Sequence, residues 1–186
     1  MTTEEQFRAM LAECREVYVK KLHDYGTAWR ILRTSSLTDQ LYIKAARIRS
    51  IEIQGEALVN EGIRPEFIGI VNYAIIGLIQ LKLGISDQPD DITIEQAIAA
   101  YDEQSECTLQ LMLRKNHDYN EAWRSMRVSS YTDIILQKIF RTKQIEGNGG
   151  QTLISEGVDA NYMDMMNYAI FALIQLTYGS TADTQQ

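Results

Sequence analysis

His23-Asp24-Tyr25-Gly26-Thr27-Ala28-Trp29-Arg30 returns as His117-Asp118-Tyr119-Asn120-Glu121-Ala122-Trp123-Arg124, displaced by 94 residues. The match spreads outward through Arg33/Arg127, Ser35-Ser36/Ser129-Ser130, Thr38-Asp39/Thr132-Asp133, Lys44/Lys138, Arg47/Arg141 and Ile51-Glu52/Ile145-Glu146. After a one-residue insertion it resumes at Glu61-Gly62/Glu156-Gly157. It ends with Asn72-Tyr73-Ala74-Ile75 and Leu78-Ile79-Gln80-Leu81 against Asn167-Tyr168-Ala169-Ile170 and Leu173-Ile174-Gln175-Leu176. A period this long is not a solenoid unit; two copies in one chain read as a fused pseudo-dimer.

Each copy reads as three helices, and nothing alternates with the period of a strand, so the fold class is all-α. Thr3-x-x-Gln6 and Thr93-x-x-Gln96 have the form of capping boxes, opening first helices that run to about Leu22 and Lys115. A short turn follows around Ala28–Arg33 and Ala122–Arg127. Ser36-x-x-Asp39 and Ser130-x-x-Asp133 are the expected starts of the second helices, and Gly55 and Gly147-Asn148-Gly149-Gly150 the loops after them. Pro65 suits the first turn of the third helix in copy one, Asp159 is a candidate cap in copy two, and Gly84 and Gly179 are stops. The third helices are apolar almost all round (Phe67, Ile68, Ile70, Val71, Ile75, Ile76, Leu78, Ile79). They belong in the middle of a bundle, with Gly69 and Gly77 allowing close approach. Met163, Met165 and Met166 read as core filler. The expected architecture is a tandem-duplicated helical bundle with a first repeat over 1–85 and a second over 92–180. The repeats pack as a pseudo-twofold pair in one compact unit, joined through the short linker Ser86–Asp91.

Composition narrows the partners. The 186 residues carry 18 Lys+Arg against 25 Asp+Glu, a formal net charge of −7, which argues against non-specific binding to duplex DNA. The longest nearly uncharged stretch, Phe67 to Leu81, is short for a bilayer crossing, so no membrane is expected. The N-terminus lacks the pattern of a signal peptide. Cys14 and Cys107 form no CxxC and no disulfide framework. They read as small buried residues on the two first helices, and the expected compartment is cytoplasmic.

Hydrophobic periodicity does not explain the repeated polar residues. Arg30, Arg33, Lys44 and Arg47, with Arg124, Arg127, Lys138 and Arg141, are the largest matched set. Arg forks take phosphate or carboxylate bidentately and Lys adds a point charge. Tyr25 and Trp29, with Tyr119 and Trp123, are rings that could stack a base. His23, Asp24, Glu61 and Asn72, with His117, Asp118, Glu156 and Asn167, complete the candidate ligand-binding set. The competing reading is an internal network of ion pairs with the tryptophans in the core. Asp118, Glu156 and Asp164 are the candidate Mg²⁺ ligands, since Mg²⁺ takes one or two carboxylates plus substrate phosphates. Asp164 has Gly69 as its counterpart, so a site using it exists once. The two His stand without a second His or Cys at zinc spacing, and no Walker loop, nucleophile elbow or HExxH is present.

The run from Lys21 through His23-Asp24-Tyr25, Ala28-Trp29-Arg30, Ser35-Ser36, Thr38-Asp39, Lys44 and Arg47, with Glu61-Gly62-Ile63-Arg64-Pro65-Glu66-Phe67 and Asn72-Tyr73, resembles the nucleotide modification associated domain of the first type. The resemblance covers nearly the whole chain in two copies. It implies an α-helical domain associated with nucleotide or DNA-base modification. A remoter similarity is to the all-α MazG-type nucleoside triphosphate pyrophosphohydrolases, which hold Mg²⁺ with acidic residues on neighbouring helices. That similarity implies a Glu followed by Asp four and eight residues later. Copy one has Glu61, Pro65 and Gly69, and copy two has Glu156, Ala160 and Asp164. The favoured function is binding of a phosphorylated nucleoside or similar anionic small molecule. A weak Mg²⁺-dependent nucleoside triphosphate pyrophosphohydrolase and a non-catalytic helical interaction scaffold are the rivals, and a homodimer is compatible with each.

Overall fold

A computed structural model describes residues 1–55, 62–153 and 156–179. Six α-helices form within them: α1 (Thr3–Tyr25), α2 (Thr34–Gln54), α3 (Arg64–Leu83), α4 (Ile94–Tyr119), α5 (Val128–Gly147) and α6 (Val158–Tyr178). Single 3₁₀ turns, Ala28–Ile31 and Ala122–Ser125, follow α1 and α4. There is no strand among the described residues. The fold class is all-α and duplicated, as the sequence implies.

The helices stack in three layers, with α2 and α5 on one side, α3 and α6 in the middle, and α1 and α4 on the other. The most extensive pairing is α3 with α6. Exchanging the repeats maps each pairing onto another that is present: α2–α3 onto α5–α6, and α1–α6 onto α4–α3. This is the expected pseudo-twofold arrangement. The middle layer is covered on both faces, which explains helices without a polar stripe. By length and composition α3 could cross a membrane, yet 72% of its apolar window is buried inside the bundle. Met165 and Met166 are fully buried, with Met163 packed beside them. A Cβ at Gly77 would lie 2.7 Å from the Tyr162 ring, so α3 and α6 do approach there. Gly69 instead makes room for the aliphatic tail of Lys44 on α2, 3.2 Å from a notional Cβ.

Helix ends depart from the sequence reading in ways that have causes. Thr93 and Gln96 form the expected capping box. At α1, however, the box is Thr2 with Glu5, not Thr3 with Gln6. Both registers offer the pattern, and the Glu5 carboxylate suits the positive helix end better than an amide. Gln6 accepts from Arg124 at 2.8 Å instead. The first helices run one turn further than expected, to Tyr25 and Tyr119. The second helices begin at Thr34 and Val128, before Ser36 and Ser130. Asp39 and Asp133 do not cap them; they pair across the α2–α5 seam with Lys143 and Arg49. Gly157, not Asp159, precedes α6. Pro65 sits in the first turn of α3 as expected, and Gly84 and Gly179 terminate α3 and α6. Cys14 is buried but Cys107 is exposed; Thr108, 94 residues after Cys14, takes the buried place.

The connection between repeats is fastened down. Ser86 N–H donates to Arg30 O at 2.9 Å and Thr27 Oγ1 donates to Pro89 O at 3.0 Å. Arg30 grips Asp91 bidentately at 2.9 and 3.1 Å and donates to Gly84 O at 2.7 Å.

Candidate functional site

The repeated polar residues divide into those that build the fold and those that gather at its edge. Arg30, 4% exposed, is wholly engaged with Asp91, Gly84 and Gln80. Its counterpart Arg124 is exposed, lies 4.3 Å over the Trp123 ring, and donates to Glu121, Thr3 and Gln6. Trp123 is buried, stacked on Phe171 at 4.2 Å, with Nε1 donating to Asn116 at 3.0 Å. Trp29 is half-buried and its Nε1 has no acceptor among the described residues, because Leu22 stands 94 residues before Asn116. Gln80 and Gln175 tie the 3₁₀ turns to the third helices, through the carbonyls of Trp29, Arg30 and Leu32 and of Trp123 and Arg124. Asn72 is a core residue: its Nδ2 donates to Cys14 O at 3.0 Å, and Oδ1 accepts from Tyr101 at 2.8 Å. Asn167 is also buried, and its Oδ1 has no donor among the described residues.

The second group converges. In repeat one, Lys44 and Arg47 lie one turn apart on α2 and both reach Glu66 on α3, at 3.3 and 2.6 Å. The Glu66 side chain is 8% exposed, whereas the two cations are about one-third exposed, at 30% and 32%. In repeat two, Lys138 on α5 and Lys115 on α4 each donate to one oxygen of Asp164 on α6, both at 2.9 Å. Asp164 is 10% exposed, and Lys138 and Lys115 are 30% and 43% exposed. Burial pulls the Lys115 ammonium down, but its bond to Asp164 and the charges of Asp164, Glu156 and Tyr168 outweigh this and hold it above the usual lysine range. The two clusters are not copies in detail. Glu66 has Asn161 as its counterpart, and Asp164 has Gly69. The carboxylate has moved one helical turn along the third helix, while two cations over one acid are kept.

His23, Asp24 and Tyr25 are exposed at the end of α1, and His117, Asp118 and Tyr119 at the end of α4. His117 Nδ1 lies 3.4 Å from Asp118. Tyr119 is four residues beyond Lys115 and shares its face of α4. Arg33 and Arg127 are exposed residues preceding α2 and α5. Arg141, one turn after Lys138, donates to Gln144. Glu156 is exposed ahead of α6, and Glu61 lies outside the described residues. The candidate Mg²⁺ ligands Asp118, Glu156 and Asp164 do not converge: no group of three His, Cys, Asp or Glu comes together among the described residues. Lys115 and Glu66 are the members of these clusters that the sequence reading missed. Lys115 repeats Lys21 and was findable by extending the alignment two residues; Glu66 has no repeated partner and left no such signal.

The profile of the family described as nucleotide modification associated domain 1 matches this chain twice, over residues 21–81 and 115–176. No curated protein and no solved structure matches it. The two matched segments hold both basic clusters, Lys44, Arg47 and Glu66 in the first and Lys115, Lys138 and Asp164 in the second.

Proposed function

The chain belongs to the nucleotide modification associated domain 1 family, and from that premise we propose that it binds a phosphorylated nucleoside, or a similar anion, at its two basic clusters without a divalent cation. The observation that carries this reading is the shared charge arrangement of the clusters. Each sets two partly exposed cations on one buried carboxylate, by different residues in each repeat. The carboxylate fixes the cations in place and neutralises one of them, leaving a surplus positive charge for a phosphate, which in repeat two the charge of the exposed Glu156 reduces. The same surplus repels Mg²⁺, and both Asp164 oxygens already accept from ammonium groups. The acid position that favoured a pyrophosphohydrolase is thus occupied in another way. Tyr119 beside Lys115, and Tyr25 in the matching place after Lys21, supply exposed rings for a base. Arg30, Trp123 and Asn72 leave the ligand set, because each is consumed by the fold.

Thermal shift with nucleoside mono- and triphosphates, with and without Mg²⁺, tests the proposal, since a ligand of the folded state raises Tm by mass action. The expected result is stabilisation independent of Mg²⁺, reduced in Lys44→Gln/Arg47→Gln and in Lys138→Gln. Arg30→Gln is the control, lowering Tm while keeping the nucleotide-induced rise. No rise with any nucleotide would support the scaffold reading. Pyrophosphate release that needs Mg²⁺ and disappears in Asp164→Asn would overturn the binding-only reading.

A further inference from the structure

The outer face of the α2–α5 layer carries an apolar strip that the other described residues leave open. Tyr42 and Phe140 face one another across the helix pair with ring centroids 6.0 Å apart, and they are 38% and 54% exposed. With Ala46, Ile53 and Leu136 they line a shallow groove, in which Ile53 is 75% exposed. Four charges flank the Tyr42–Phe140 centre of the strip, with Ile53 one turn beyond Arg49. Asp39 and Lys143 lie 3.2 Å apart at one end, and Arg49 and Asp133 lie 3.6 Å apart at the other. All four remain at least 39% exposed.

The arrangement of those charges identifies the occupant. The contacts 39–143, 42–140 and 49–133 show that α2 and α5 run antiparallel. The acid is therefore on α2 at one end and on α5 at the other, and the bases fill the opposite corners. This is a checkerboard. A two-fold axis lying in the face and running along the helices exchanges the two helices, and one running across them exchanges the two ends. Either exchange places every carboxylate opposite a cation of the second molecule and lays apolar strip on apolar strip. A partner of a single charge sign meets two repulsive corners instead. The size is adequate: two helices of 21 and 20 residues present a face roughly 30 Å by 20 Å. That area is comparable with the ~800 Å² per partner of a standard interface.

We propose that a second copy of this chain docks on the α2–α5 face, forming a homodimer centred on Tyr42 and Phe140. Sedimentation velocity or light scattering of the full chain over a concentration series up to about 100 µM is the test. A species of about twice the 21.3 kDa chain mass is expected. Phe140→Asp places a charge in the apolar centre, and Arg49→Asp reverses one corner while leaving the strip intact. Each should weaken association by about tenfold or more, Arg49→Asp chiefly at low salt. Both positions are exposed, and circular dichroism melts establish that each variant is folded. A wild-type chain that stays monomeric throughout overturns the proposal, as does a dimer that both variants leave intact.

Discussion

Replacing Tyr101 with Phe removes one oxygen and leaves the ring in place. The Tyr101 hydroxyl donates to Asn72 Oδ1 at 2.8 Å in a site where Tyr101 is 1% and Asn72 9% exposed. The ring also stacks on Tyr18 at 4.3 Å, a contact that the substitution keeps. No cavity of consequence opens, so the cost is that of a buried amide oxygen left without a donor, about 1–3 kcal/mol. For a domain of this size each kcal/mol moves Tm by about 2–4 °C, so a fall of between about 2 and 12 °C is expected. The chain contains its own comparison. Phe7 stands 94 residues before Tyr101, packs edge-on against Phe171 one turn from Asn167, and cannot supply a hydroxyl. Asn167 Oδ1 is unpartnered among the described residues, as Asn72 Oδ1 would become. The converse change, Phe7→Tyr, should hold or raise Tm by giving Asn167 a donor. Calorimetric melts at neutral pH on the three proteins decide the matter. A Tyr101→Phe variant that melts with the wild type would refute the reasoning, as would a Phe7→Tyr variant that loses as much as Tyr101→Phe.

Gly77→Ala should destabilise although alanine favours helix. Its Cβ meets a Tyr162 ring pinned by its hydroxyl to Thr38 and Thr34 O, and overpacking of this kind costs about 1–3 kcal/mol; a raised Tm would show that the α3–α6 approach is looser than described. Glu146 titrates above the usual glutamate range, because burial outweighs the opposing bond from Thr38; the charge of Asp39 raises it further and that of Lys143 lowers it. Its contribution to stability is therefore present when protonated and lost as pH rises through the raised value, so Glu146→Gln should melt higher than wild type at neutral pH and equal it below about pH 4. A pH-independent difference between the two melts contradicts that assignment.

The architecture was legible because burial and duplication leave redundant marks. Two third helices without a polar face have nowhere to go but a middle layer, and 94-residue periodicity states that they meet as equivalents. The site was legible only where repetition and role coincided. Lys44 and Lys138 recur and do sit at the basic clusters. Arg30, Trp123 and Gln80 recur as well, but what repeats there is the fastening of a 3₁₀ turn to a helix. Repetition alone does not distinguish a fastening from a binding group. Glu66 and Asp164 defeated the comparison in the other direction, since one electrostatic task passed to positions a turn apart. Cap registers were ambiguous where two patterns overlapped, as at Thr2 and Thr3, where the Glu5 carboxylate favours one register and Gln6 is engaged by Arg124.

The first helices bear on how the chain assembles. α1 lies across both third helices: its Cys14 carbonyl accepts from Asn72 of its own repeat, while Phe7, Met10 and Thr3 reach Phe171, Thr177 and Arg124 of the other. A protease cut between Gly84 and Thr93 would therefore yield two fragments that remain interleaved rather than two released domains. In the intact chain, tethering replaces a bimolecular search with an intramolecular one at high effective concentration. The clamp of Arg30 and Thr27 on the linker holds the two repeats of one molecule together and so opposes domain-swapped oligomers.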